Sequence, residues 1–117
     1  SVRAELRFPD PSANPYLAFT VMLAAALDGI ENKMKAPKSL NNINLYDLNK
    51  EERASLGVEE LPGSLARALA ALDKDEVIKS ALGEVIYEAF TRAKWEEWEE
   101  FRLHISDHEI ERYLETA

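Results

Sequence analysis

The sequence has no cysteine. Disulfides, iron–sulfur clusters, cysteine-ligated zinc and cysteine nucleophiles are therefore excluded. Glycine is scarce: four in 117 residues, at positions 29, 57, 63 and 83. No glycine-rich phosphate loop can be assembled from them. Positive charge is in deficit. Fourteen basic against 22 acidic side chains leave −8, with a pI near 4.8. A duplex nucleic-acid binder needs a basic face, so that class is set aside. Long apolar runs are missing too. The longest, Tyr16 to Leu27, has twelve residues and includes Thr20, whereas a membrane span needs about 20. Residues 1–10 are polar and strand-like rather than a secretory leader. The start at Ser1, without Met, reads as processing or as a piece of something longer. A cytoplasmic chain with no nucleic-acid and no membrane partner is expected.

What is present is an ordinary globular balance, 46% hydrophobic and 31% charged. At this length one domain, or part of one, is expected, with enough burial for a modest core. The negative excess sits at the end: residues 84–117 hold ten acidic and four basic side chains. That segment reads as a solvated helix face, or as a tail that docks on a basic surface.

Val2, Ala4, Leu6 and Phe8 alternate with Arg3, Glu5 and Arg7. A period of two predicts a strand over residues 1–8, apolar on one face and charged on the other. Pro9 and Pro11 end it. Asn14-Pro15 predicts an N-cap and a first helical residue. The helix runs over residues 14–32 and is apolar on almost every face, so it calls for protein around it. Residues 33–63 predict an ordered, asparagine-rich loop, then a short helix opened at Asn49 and stopped by Gly57, then a turn at Leu61-Pro62-Gly63. Helices are expected over residues 64–104, with Ser64 as a cap, an interruption at Asp73 to Asp75, and a long last member. On that member Ile86, Phe90 and Ala93 suggest an apolar stripe, and Trp98 and Phe101 continue it with a sideways drift. Ser106-Asp107-His108-Glu109 predicts a capping box that opens a tail helix within residues 105–117. The fold class is mainly α, one N-terminal strand followed by five or six helices. A lone strand is unstable in water, so its partners must lie elsewhere.

The charged strand face carries the best candidate chemistry. Arg3, Glu5 and Arg7 fall on one side, roughly 7 Å between neighbours. Two guanidiniums grip phosphate oxygens, and a carboxylate between them can take a divalent cation. The plainer reading is a solvated face with surface ion pairs. His104 and His108 lie four apart, but Ser106 is expected to start a new helix between them, which argues against a metal pair. Trp95 and Trp98, among acidic neighbours, read as packing residues.

Residues Arg3 to Phe19, R-A-E-L-R-F-P-D-P-S-A-N-P-Y-L-A-F, resemble the C-terminal portion of the catalytic domain of type I glutamine synthetase, an α+β domain. The likeness continues through Leu27-Asp28-Gly29-Ile30, Asn44-Leu45-Tyr46-Asp47-Leu48, Leu61-Pro62-Gly63-Ser64-Leu65 and Ile110-Glu111-Arg112-Tyr113-Leu114. The resemblance implies an ATP-dependent ligase that joins ammonia to glutamate through a γ-glutamyl phosphate. It implies Mg²⁺ or Mn²⁺ as cofactor, glutamate, ammonia and ATP as small-molecule partners, and a homo-oligomer, a dodecamer of two stacked hexamers. By position it makes Glu5 a metal ligand, Arg7 a catalytic residue at the transferred phosphoryl group and substrate, and Arg3 a contact to the nucleotide phosphates. Tyr46 matches a tyrosine that some members adenylylate, a candidate modification site. The chain alone is expected to be inactive, since further ligands come from other segments. Two alternatives stay open: a γ-glutamyl-amine ligase of the same family, and a non-enzymatic helical assembly module.

Overall fold

A computed structural model describes residues 1–3, 5–7 and 9–114. Six α-helices make up most of it: α1 Pro15–Glu31, α2 Lys50–Ser55, α3 Leu65–Asp73, α4 Glu76–Leu82, α5 Glu84–Leu103 and α6 Asp107–Tyr113. A single 3₁₀ turn, Leu45–Asp47, interrupts the asparagine-rich loop and is capped by the Asn44 side chain. No described helix is long and apolar enough to cross a membrane.

Local chemistry sets the helix ends. Asn14 Oδ1 accepts from the backbone N–H groups of Tyr16 (3.0 Å) and Leu17 (3.3 Å), and Pro15 follows at the first helical position. Asn49 and Glu52 form a capping box at α2, and Ser106 and Glu109 form one at α6. Ser64 caps α3 and Asp75 caps α4. The exit of α2 is a paired-carbonyl closure. Gly57 N–H donates to Ala54 O and Val58 N–H to Arg53 O, with Gly57 at φ 70°. The same closure ends α1, but there Lys33 takes the left-handed position, at φ 50°, where glycine is the usual occupant.

Packing is sparse. Helix α1 lies against α4, and α3, α4 and α5 pack on one another. Among the described residues only Leu69 on α3 and Leu82 on α4 are buried. The radius of gyration is 18.7 Å, against about 13 Å for a closed domain of this length. The modest core expected from length is thus reduced to one corner. Most of the chain's apolar surface faces outward.

Two expectations need correction. No strand occurs among the described residues, although one was expected over residues 1–8. A ladder requires a second backbone, and residues 1–3 and 5–7 have none. Ala4 and Phe8, half of the expected apolar face, lie outside the described residues, as do residues 115–117 at the end of the tail. The second correction concerns α5. Its half-buried side is Tyr87, Phe90, Thr91, Lys94 and Trp98, while Ile86 and Ala93 are exposed. The Tyr87 hydroxyl donates to Asp73 Oδ1 at 2.7 Å, and Lys79 lies over the Tyr87 ring. That bridge turns the Tyr87 side, not the Ile86 side, toward α3 and α4. Glu97 stays in solvent, paired with Lys94.

Candidate functional site

The three charged residues of the N-terminal segment do converge. Arg7 Nε donates to Glu5 Oε1 at 2.7 Å. Arg3 Nη2 sits 3.6 Å from Glu5 Oε2. Each carboxylate oxygen therefore faces one guanidinium. All three side chains remain largely in solvent, with 69%, 46% and 85% of Arg3, Glu5 and Arg7 exposed. Ion pairs this open add little stability. Their arrangement is a matter of charge placement: two cations flanking one anion, a net +1 on an otherwise acidic chain.

The link from this segment to α1 is short and held locally. Asp10 Oδ1 accepts from both the backbone N–H (2.7 Å) and the hydroxyl (2.6 Å) of Ser12. These bonds, the side-chain one first, hold the Asp10 carboxyl below its usual value. Ala13 N–H closes back on Asp10 O at 2.9 Å. Asp-x-Ser after a proline is a turn pattern in its own right; the sequence reading credited only the prolines here.

Glu5 offers a single carboxylate, already engaged by two guanidiniums. Among the described residues no three His, Asp or Glu side chains gather closely enough to hold an ion. A divalent cation bridging phosphates needs more oxygen ligands than one carboxylate supplies. These residues do not make a metal site by themselves.

Other candidates lie apart. Tyr46 is 97% exposed, with its backbone N–H on Asn44 Oδ1. His104 ends α5 and His108 belongs to α6, so the two sit on different helices. Trp98 packs on Phe101 with ring centroids 6.2 Å apart. A shallow hollow of about 560 Å³ at the end of α5 is lined by Glu97, Glu100, Phe101, Leu103 and His104, none of them in the charged triad. The Tyr87–Asp73–Lys79 bridge was not anticipated. Its partners are fourteen residues apart in sequence, and no local pattern links them.

The family described as "Glutamine synthetase, catalytic domain" matches residues 1–113. The chain belongs to that family, and corresponds to a C-terminal piece of the catalytic domain. It is 50% identical over 114 residues to the glutamine synthetase of Thermus thermophilus, and 47% identical to that of Methanocaldococcus jannaschii. Each alignment covers 97% of this chain and 25% of the relative. The chain thus spans about a quarter of the length of these curated relatives. Among solved structures it is similar to ligand-free GmaS, with a TM-score of 0.76 and 38% identity, over 93% of this chain and 24% of that one.

Proposed function

We propose that this chain forms part of a cytoplasmic, homo-oligomeric glutamate–ammonia ligase and carries one wall of its phosphoryl-transfer site. The observation behind this reading is the triad: both oxygens of Glu5 are faced by Arg3 and Arg7 in a chain of the glutamine synthetase family. In the reaction a γ-carboxylate oxygen of glutamate attacks the γ-phosphorus of ATP, and ADP leaves. Ammonia then attacks the acyl carbon; the bond to the phosphate oxygen breaks, phosphate departs and the nitrogen loses a proton.

Phosphoryl transfer asks a protein chiefly for positioning and charge neutralisation. Arg7 would hold the transferred phosphoryl group and the substrate carboxylate beside it. Arg3 would hold the nucleotide phosphates. A planar guanidinium can present two parallel N–H groups to such oxygens. Glu5 would be one of several ligands to Mg²⁺ or Mn²⁺, the others coming from outside these residues; the ion, when bound, neutralises phosphate charge. Until the substrates arrive, Glu5 is the counter-ion that keeps the two arginines apart and oriented. The choice of ammonia over other amines belongs to segments outside this chain.

The experiment is a chimera. The Thermus thermophilus enzyme carries this chain in place of its matching segment, and glutamine formation is followed with saturating Mg²⁺ and Mn²⁺. Glu5→Ala and Arg7→Ala should each lower kcat/KM by at least about a hundredfold, with helix content and assembly unchanged. Activity unaltered in both variants would sink the reading. The isolated chain should show no turnover of ATP, glutamate and ammonium.

A further inference from the structure

The link between the charged triad and α1 is stiffened by its own chemistry. Prolines stand at positions 9 and 11, and a third, Pro15, opens the helix. Each ring fixes one backbone angle. The polar residues between them bond to their own neighbours. Asp10 Oδ1 accepts from the backbone N–H of Ser12 at 2.7 Å and from its hydroxyl at 2.6 Å. Ala13 N–H donates to Asp10 O at 2.9 Å. Asn14 Oδ1 then takes the N–H groups of Tyr16 and Leu17. Residues 9–16 are all exposed. Packing does not hold this stretch; its short-range bonds do.

Asp10 is the hub of that stretch. Two of its oxygens, Oδ1 and the backbone O, serve three donors on Ser12 and Ala13. Among the described residues no ion pair joins it to Arg3 or Arg7. It stands outside the charge arrangement of the triad and acts on backbone direction instead. Only residues 8 and 9 separate it from Arg7. A change of direction at Asp10 swings Arg7 relative to α1, and a displacement of about 1 Å at a reacting centre can cost about a hundredfold in rate.

We propose that Asp10 is a positioning residue for phosphoryl transfer: by clasping Ser12 through Oδ1 it sets the direction in which Arg7 is presented to the substrate. This rests on the function proposed above; the clasp itself does not. The active feature is the acceptor oxygen and not the negative charge. Asparagine carries the same oxygen, and this chain already uses it so: Asn14 and Asn44 each accept, through Oδ1, from the backbone N–H two residues on. Asp10→Asn should therefore preserve what Asp10→Ala destroys.

The test combines kinetics with hydrogen exchange. In the Thermus thermophilus chimera, Asp10→Ala should lower kcat for glutamine formation at least about tenfold while moving KM for ATP less than about twofold. Melting temperature and assembly should not change. Asp10→Asn should recover most of the loss. In an Arg7→Ala background, Asp10→Ala should cost less than about a further twofold, because both changes act on one contact. Full kcat in Asp10→Ala overturns the proposal. So does an Asp10→Asn enzyme as slow as Asp10→Ala, a loss that multiplies with that of Arg7→Ala, or a loss that comes with lost assembly. In the isolated chain, Ser12 N–H should exchange at least about tenfold faster in Asp10→Ala than in the parent or in Asp10→Asn. Equal exchange overturns the proposal even where the chimera does not assemble. The two readings fail differently. A harmless Arg7→Ala breaks the functional reading, and the role of Asp10 with it; a crippling Arg7→Ala beside a harmless Asp10→Ala breaks this proposal alone.

Discussion

The two ends of this chain hold opposite resources. The α3–α4–α5 corner has the burial, with Leu69 and Leu82 closed off from water and a Tyr87–Asp73 bridge between helices. It carries none of the residues expected to do chemistry. The N-terminal third has those residues but no fully buried side chain among its described residues: Arg3, Glu5 and Arg7 lie in solvent, and α1 is half-buried only on the side that meets α4. The contrast teaches that a site's residues and the core that makes them rigid need not be near each other in sequence. Ion pairs in water can bring the triad together, but they cannot hold it to catalytic tolerance.

The largest effect should separate the two regions outright. Leu69→Ala or Leu82→Ala in the isolated chain should cost about 2–4 kcal/mol, read as a drop in denaturation midpoint. Leu23→Ala, outside that corner, should cost less than about 1 kcal/mol there. A large loss at Leu23 would mean that the N-terminal third has a core of its own. Next come the caps. Asn14→Ala and Ser64→Ala each remove acceptors for backbone N–H groups and should cost about 1 kcal/mol. Hydrogen exchange should place the first loss in α1 alone and the second across the whole corner. Spread of the first loss into α3 and α5 would show the two regions to be one cooperative unit.

The smallest effects are in pH, and their signs differ. Glu109 accepts from the backbone N–H of Ser106 at 2.9 Å and from its hydroxyl at 2.8 Å. The backbone bond first, and then the hydroxyl, hold its carboxyl below the ordinary 4.5. A folded pKa below the unfolded one means that this contribution is complete above pH 4.5 and is lost as pH falls through the folded value. Helix α6 should therefore loosen in acid. Tyr87 is shifted the other way. Its hydrogen bond to Asp73, then burial, raise it above 10.0. Its contribution is complete below pH 10 and is lost as pH rises through the folded value. The α3–α5 corner should therefore loosen in alkali, and Tyr87→Phe should abolish that alkaline step. Circular dichroism and exchange at pH 3, 7 and 11 check both signs.

What could be read in the sequence was what is local. Asn14, Asn49, Ser64 and Ser106 mark helix starts because a capping side chain and the backbone N–H it accepts from lie within three residues of one another. The triad was legible for the same reason, through a period of two. The strand was expected from that same period and is not formed here, because pairing is non-local. The α5 face was misplaced by a rotation of one residue. Its decisive contact is a hydroxyl on α5 that reaches a carboxylate at the end of α3, which the apolar pattern of α5 does not encode. The family likeness added the residue roles, which no periodicity carries.

Gly83 joins α4 to α5 with no residue to spare. It serves as the last cap of one helix and the first of the other, at φ 75° and ψ 156°, backbone open to glycine and strained for any other residue. Nothing lies within 4 Å of where a β-carbon would stand. The constraint there is one of direction and not of room. Were the bend straightened, α4 and α5 would merge into a single rod of about 42 Å, and everything beyond it would swing away as on a boom. In mechanical terms this glycine is an elbow locked by stereochemistry, and the aim of the acidic tail is set at that one joint.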